Sequence, residues 1–225
     1  MTVTAALLDV DGTLVDSNDA HAHAWVKAFA EAGVRVEFAR VRRSIGMGGD
    51  KLMPEVSGLT EDSPEGERIA IRRREIFTSE YLPSVKPFRD ADTLVAGLRG
   101  RGLTVVAASS AKKDELKRLL AIAGAASLLD GATSSDDAEE SKPDPDIVQA
   151  ALGRAKVPAA VCVDSPPDAR LRWNARPLPG VTSMEACGDP GCSDSRIMMP
   201  ALVQGFTLWT DETRATISPS AASVA

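Results

Sequence analysis

Short apolar runs, each ended by a polar turn, alternate along this chain with stretches of helical spacing. The first run, residues 4–10, closes on carboxylates and a glycine, which is typical of a buried strand that leads into a turn. Comparable runs occupy residues 103–108 and 160–163, and residues 128–129 predict a weaker strand. Since these runs alternate with helical patterns after residue 86, we predict an α/β fold whose parallel sheet is covered by helices on both faces.

Residues 16–85 interrupt this alternation because they show helical patterns only. One helix is predicted to end at Gly33, and another begins at the Ser63-Pro64 step, a typical cap and first helical residue. The loop at 46–50 is rich in glycine and should expose its backbone. We therefore predict a core of residues 1–15 and 86–225 that carries residues 16–85 as an inserted helical domain.

The composition and charge of the chain argue against several classes of function. The chain has 225 residues, 26 Lys and Arg against 32 Asp and Glu, and a net charge of -6, so we expect no nucleic-acid partner. No apolar run approaches the roughly 18 residues that a membrane-spanning helix needs, and the N-terminus does not resemble a signal peptide. Three cysteines, none of them before Cys162, favour a reducing, cytoplasmic location.

Polar residues that could carry chemistry follow the first strand. Asp9, Asp11 and Gly12 occupy the end at which ligands of parallel sheets bind. Two carboxylates there could bind a hard cation or divide nucleophilic and acid–base roles between them, and Gly12 would let an anion approach the backbone. A turn rich in aspartate that merely ends the strand is the alternative.

Three later segments carry polar residues that could join Asp9 and Asp11 in one site, although each segment alone has a plain structural explanation. Ser109 and Ser110 could bind phosphate at a helix start or simply cap that helix. Lys142 stands before a Pro-x-Pro step, and Asp164 and Asp168 follow the last clear strand. Taken together, Asp9 and Asp164 would bind Mg²⁺, Lys142 and Ser109 would hold a phosphate, and Asp9 would attack phosphorus.

In this order the segments resemble the four motifs of the haloacid dehalogenase-like hydrolase superfamily. They read Asp9-Val10-Asp11-Gly12-Thr13-Leu14-Val15, Ser109-Ser110, Lys142-Pro143-Asp144-Pro145 and Asp164-Ser165-Pro166-Pro167-Asp168. The resemblance implies a Rossmann-like core, an inserted helical cap and hydrolysis of phosphoesters through an aspartyl-phosphate. It also implies that Asp9 is the nucleophile and a metal ligand, that Asp11 is the general acid–base and a ligand through its carbonyl, and that Asp168 supports the metal site and Lys142.

Within the superfamily, Asp11 favours phosphate transfer over cleavage of a carbon–halogen bond. His21 and the glycine loop around Gly48 are similar to members of the phosphoglycolate phosphatase and β-phosphoglucomutase type, so both residues are candidates for binding substrate. Position 49 is glycine where the mutases carry an arginine, which disfavours a mutase unless an arginine from residues 72–74 replaces it. That arginine run could equally be a solvated helix face. Lys51 could be a cap lysine that forms a Schiff base, although this is the least favoured alternative.

The C-terminal quarter departs from the family. Val163 stands where members usually have glycine, and residues 170–179 contain two prolines and a tryptophan. Residues 180–183 could form one more strand. We hypothesise that residues 169–225 have diverged or are translated from a shifted frame, which resequencing of the gene would test.

The sequence thus predicts a Mg²⁺-dependent hydrolase of small phosphate monoesters, cytoplasmic, and a monomer or weak homodimer. Its partner would be a small phosphorylated metabolite, with no nucleic acid and no membrane. Two alternatives stay open: a sugar-phosphate mutase, and a phosphate-binding protein whose altered tail has impaired catalysis.

Overall fold

A computed structural model describes residues 4–142 and 144–157, together with the backbone of four later strands. The seven helices of this part are α1 (Asn18–Glu31), α2 (Phe38–Ser44), α3 (Gly49–Ser57), α4 (Pro64–Ile76), α5 (Ala91–Gly100), α6 (Lys113–Ile122) and α7 (Asp146–Ala155). A π-helical turn, Phe77–Tyr81, and a 3₁₀ turn, Leu82–Ser84, follow α4, and another 3₁₀ turn covers Ser135–Asp137. The strands are β1 (Ala5–Leu8), β2 (Val15–Asp16), β3 (Lys86–Pro87), β4 (Thr104–Ala108), β5 (Gly131–Thr133), β6 (Ala160–Asp164), β7 (Val181–Glu185), β8 (Phe206–Trp209) and β9 (Arg214–Ile217).

Five of these strands form one parallel sheet in the order β5-β4-β1-β6-β7. Alternate residues of β1 face opposite ways: Ala6 and Leu8 join a core shared with α5 and α6, whereas Ala5 and Leu7 pack with α7. Helices therefore cover both faces of the sheet, and the predicted α/β class is confirmed. The short strand expected near residue 180 is present as β7 at the sheet edge.

One strand prediction is wrong. Residues 128–129 lie in a turn, and the edge strand is β5, which begins two residues further on. Its residues are small, and pairing with β4 holds them: Ala107 stands opposite Ala132 and Ala108 opposite Thr133. Hydrophobicity pointed to the two leucines because Gly131 and Ala132 give no strand signal of their own.

The segment from α1 to α4, called here the helical segment, leaves and rejoins the sheet through the antiparallel pair β2–β3. Its helix α4 begins as predicted, since Ser63 Oγ accepts a hydrogen bond from Gly66 N at 3.1 Å and Pro64 is the first helical residue. The exact extent of the two predicted domains stays a prediction. No helix of the described part is long and apolar enough to cross a membrane. Most of the atypical region 169–225 lies outside the described residues, and so does the question of its reading frame.

Candidate active site

The site is built around a buried ion pair at the end of β1. Asp9 directly follows this strand and is 8% exposed, and Lys142, 133 residues later, is 7% exposed. Lys142 Nζ lies 2.5 Å from Asp9 Oδ1 and also donates to the carbonyl of Ala108, at the end of β4, at 3.1 Å. Burial of either charge alone would be costly, so each requires the other.

The turn after β1 depends on glycine. Gly12 has a φ of 81°, and its N–H donates to Val15 O at 2.8 Å, which folds the chain back towards β2. A Cβ atom at this position would lie only 2.2 Å from Asn18 Nδ2. Position 12 therefore requires glycine for two reasons, the positive φ and the lack of room for a Cβ atom.

Asp11 is held by two partners from the beginning of the helical segment. Ser17 Oγ donates to its Oδ1 at 2.5 Å, and His21 Nε2 lies 2.8 Å from the same oxygen. Burial alone would raise the pKa of Asp11, but its contact with His21, the hydrogen bond of Ser17 and the charge of Arg73 together lower it. Asp11 is thus a carboxylate in this arrangement. Ser17 precedes α1 but makes no capping hydrogen bond through its side chain.

His21 is itself fixed by α4. Arg73 Nη2 lies 2.6 Å from His21 Nδ1, and since a guanidinium can only donate, this ring nitrogen is the acceptor and Nε2 carries the proton towards Asp11. The imidazole stacks on Phe77 with a centroid distance of 3.9 Å. Arg73 also pairs with Glu115 of α6 at 3.0 Å, with both side chains largely buried. A chain of contacts therefore runs from the core helix α6 through the helical segment to Asp11.

The two predicted phosphate-binding serines differ in their surroundings. Ser109 is fully buried, and its Oγ accepts a hydrogen bond from Ala111 N at 3.0 Å. Ser110 lines the cavity described below and donates to Gly46 O of the helical segment at 3.3 Å. Their role towards phosphate stays a prediction, and Ser110 is the one of the pair that lines the cavity.

The glycine loop contacts the segment that carries Lys142. Gly48 N donates to Lys142 O at 3.4 Å, and a Cβ on Gly48 would come within 2.3 Å of Ser141. Lys51, at the start of α3, lies 2.5 Å from Glu140 and 3.3 Å from Asp144. These carboxylates raise the pKa of Lys51, first of all through the hydrogen bond to Glu140. A Schiff-base lysine needs a lowered pKa, so the pairing disfavours that alternative.

Of the remaining predicted residues, Asp164 is the last residue of β6, the neighbour of β1. Leu8 stands opposite Val163 in this pairing, so Asp9 and Asp164 occupy the next positions along two adjacent strands. Aspartate is a residue type whose oxygens Mg²⁺ prefers, so the residue types at these two positions fit the predicted ion. Within the described side chains alone, no group of three metal-ligating residues occurs. Asp168 and the side chain of Asp164 lie outside the described residues.

A cavity of about 440 Å³ lies between the sheet and the helical segment. Asp9 and Asp11 line it from the sheet, while Trp25, Gly49 and Glu61 line it from the helical segment. Sequence reasoning missed Glu61, Glu115 and Ser17 as site residues. No local pattern marks Glu61 or Glu115, whereas Ser17 carries only the signal of a helix cap.

Comparison of the sequence and the fold with those of known proteins identifies relatives of this chain. The chain is 34% identical over 173 residues to Protein SUPPRESSOR OF QUENCHING 1, chloroplastic, of Arabidopsis thaliana, which covers 72% of this chain but only 16% of that much longer protein. It is 29% identical over 160 residues to "Probable phosphatase IndB" of Dickeya dadantii, which covers 68% of each protein. The solved structure of a predicted phosphatase from Clostridium acetobutylicum shares the fold, with a TM-score of 0.68, 17% identity, and coverage of 82% of this chain and 85% of that chain.

The family model for haloacid dehalogenase-like hydrolases matches residues 3–164, a stretch that includes β1, Lys142 and the whole helical segment. The match spans most of the chain and ends at Asp164, so the chain belongs to the haloacid dehalogenase-like hydrolase family.

Proposed function

We propose that this chain hydrolyses a small phosphate monoester, with Mg²⁺, through a phosphorylated Asp9. The observation that carries the proposal is the buried contact of 2.5 Å between Asp9 and Lys142 beside a cavity. A carboxylate attacks a phosphate only if positive charge offsets their repulsion, and Lys142 supplies such a charge at the nucleophile itself.

In the first step Asp9 forms a bond to phosphorus while the bond to the alcohol oxygen breaks. Asp11, protonated for this step, would give its proton to the departing oxygen. In the second step the Asp11 carboxylate takes a proton from water, which attacks phosphorus and releases Asp9 and inorganic phosphate. The observed contacts of Asp11 with Ser17 and His21 suit this second step, because they favour the carboxylate.

Mg²⁺ would be held by Asp9, by the carbonyl of Asp11 and by Asp164, and when bound it supplies positive charge to the phosphate oxygens. The fit of this ion rests on the adjacent positions of Asp9 and Asp164 at the ends of β1 and β6.

The helical segment is proposed to act as a cap that excludes bulk water and shapes the space for the alcohol. Three contacts to the sheet domain support this role: Ser110 with Gly46, Lys142 with Gly48, and Arg73 with Glu115.

The test is the substitution Asp9→Asn, which keeps the shape of the side chain but removes the nucleophile. With p-nitrophenyl phosphate and Mg²⁺, we expect loss of turnover by at least about 10³-fold, while an unchanged circular dichroism spectrum shows that the fold is retained. Asp92→Asn, at an exposed position on α5, is the matched control and should keep full activity.

Acid quench of the wild-type protein during turnover should trap a phosphoprotein that hydroxylamine cleaves, and EDTA should stop its formation. Retained hydrolysis in Asp9→Asn would refute the assigned nucleophile. A wild-type protein that binds phosphoesters without hydrolysing them would instead support the phosphate-binding alternative.

A further inference from the structure

The part of the cavity wall that the helical segment forms carries two carboxylates. Glu61 and Asp50, both from the helical segment, line it together with Trp25. Neither carboxylate makes a hydrogen bond or ion pair to any side chain in the part of the chain that the structure describes. Because this wall belongs to the proposed hydrolase site, any role of its charges in substrate choice rests on that proposed function.

Gly49 shows how closely this wall is packed. A Cβ atom built on Gly49 would lie 3.2 Å from Glu61 Oε2 and 3.3 Å from Cζ2 of Trp25. The carboxylate and the indole therefore both border the point from which a longer side chain at position 49 would begin. A side chain at position 49 would require Glu61 or Trp25 to shift by a few tenths of an ångström, so Glu61 lies close to any group that enters this part of the cavity.

Nearby positive charges do not neutralise the negative charge of Glu61 and Asp50. Arg73 is already paired with Glu115, and Lys112 lies 3.1 Å from Asp136. Arg74 and Asp50 both line the cavity at exposed positions, so solvent screens both of their charges, and the partly buried Glu61 carries the least screened charge of the three. Burial raises the pKa of Glu61, and the charge of Asp50 raises it further, while Lys112 and Arg74 offset only part of this. The two carboxylates repel one another with no fixed cation between them among the described residues.

We propose that Glu61, assisted by Asp50, is the specificity determinant of this site and selects phosphate monoesters whose alcohol carries no second negative charge. The best alcohols are those with an ammonium group. At the sheet side, Asp9 and Lys142 receive the single phosphate. On the part of the wall that the helical segment forms, Glu61 and Asp50 attract a positive group, accept hydrogen bonds from hydroxyl groups and repel a carboxylate or a second phosphate. Phosphoglycolate is therefore a poor substrate, and bisphosphorylated sugars are excluded.

Three substrates of nearly equal size test this selection: phosphoethanolamine, 2-hydroxyethyl phosphate and 2-phosphoglycolate. They share the phosphate and a two-carbon skeleton and differ only in a terminal ammonium, hydroxyl or carboxylate group. For the wild-type protein we expect kcat/KM to fall in that order, with about tenfold or more between the ammonium and the carboxylate compound.

Glu61→Gln keeps the size of the side chain and removes its charge. It should raise kcat/KM for 2-phosphoglycolate and lower it for phosphoethanolamine, so that the ratio between the two falls about tenfold. The matched control is Glu67→Gln, on the exposed side of α4 and outside the cavity, which should keep the wild-type order.

A wild-type preference for 2-phosphoglycolate would overturn the inference, as would an unchanged order in Glu61→Gln. If that preference then disappears in Arg74→Gln, Arg74 is the determinant. A failure of the proposed hydrolysis differs from a failure of this specificity, since the protein would then also fail to hydrolyse p-nitrophenyl phosphate. Dissociation constants for the three compounds, measured by calorimetry, test the same order without turnover.

Discussion

At the scale of single residues, the site is a set of charges that each depend on a neighbour. Asp9 is paired with Lys142, Asp11 with His21, and Arg73 with Glu115. Asp9, Asp11 and Lys142 could be predicted because they follow a strand or precede a helix, where functional groups of parallel sheets gather. The pairing of Arg73 with Glu115 could not, because these residues of α4 and α6 lie 42 positions apart and leave no local pattern.

Asp11 makes stability depend on pH. Its pKa is lowered from 3.8, so its stabilising contacts are fully present above that value and are lost as pH falls through the lower, folded-state pKa. Asp11→Asn removes the charge at every pH. We therefore expect the variant to be less stable than the wild type at pH 6, with the difference shrinking as pH falls below about 3.8. Urea denaturation at several pH values measures this difference, and a gap that stays constant down to acid pH would contradict it.

At the scale of elements, the sequence identifies β1, β4, β6 and the start of α4, since each has a strong hydrophobic run or a Ser-Pro cap. It misplaces β5, whose small residues become a strand only through their pairing with β4. The turn from β1 to β2 shows a further limit. Its glycine is plain in the sequence, but the side chain that it makes room for, Asn18, is not.

This turn allows a matched comparison of two glycines. Gly12 and Gly33 have φ angles of 81° and 78°, but a Cβ on Gly33 meets nothing within 4 Å, whereas one on Gly12 would overlap Asn18. Gly33→Ala should therefore lower the free energy of unfolding by about 1–2 kcal/mol, the cost of placing alanine in a left-handed conformation. Gly12→Ala should lower it by the same amount and by at least about 1 kcal/mol more, because the new methyl group overlaps Asn18, and it should also lower activity. Chemical denaturation measures both variants, and equal losses would show that Asn18 moves away at no cost.

At the scale of the whole molecule, contacts beside the cavity join the helical segment to the part of the chain that carries the parallel sheet. Lys51 extends from α3 to Glu140 and Asp144, on either side of Lys142. The sequence offered Lys51 only as a candidate for Schiff-base chemistry, since its partners lie about 90 residues away. Its position indicates instead a contact that joins α3 to the segment around Lys142.

Lys51→Met should therefore weaken closure and raise the KM for p-nitrophenyl phosphate about two- to threefold at low salt, because partly exposed ion pairs contribute little individually. The difference should vanish at high salt, where the wild-type contact is screened as well. Lys27→Met is the control, since Lys27 of α1 pairs at 2.6 Å with Glu80, in the π-helical turn that follows α4 and away from the sheet. A KM that changes equally in both variants, or not at all in Lys51→Met, would show that the Lys51 contact does not govern closure.

The pairing of β2 with β3 has a consequence for how such a protein can change. Asp16 stands opposite Lys86, so the chain leaves the sheet domain and returns to it at adjoining points. The residues between these points form one insert whose two ends lie side by side. Exchange of this insert for another of different length would leave the order of the parallel strands, and the positions of Asp9 and Lys142 beside them, unchanged. New substrate preferences can therefore arise by replacement of one continuous stretch of sequence, provided that the new stretch again supplies the partners that Ser17 and His21 give to Asp11.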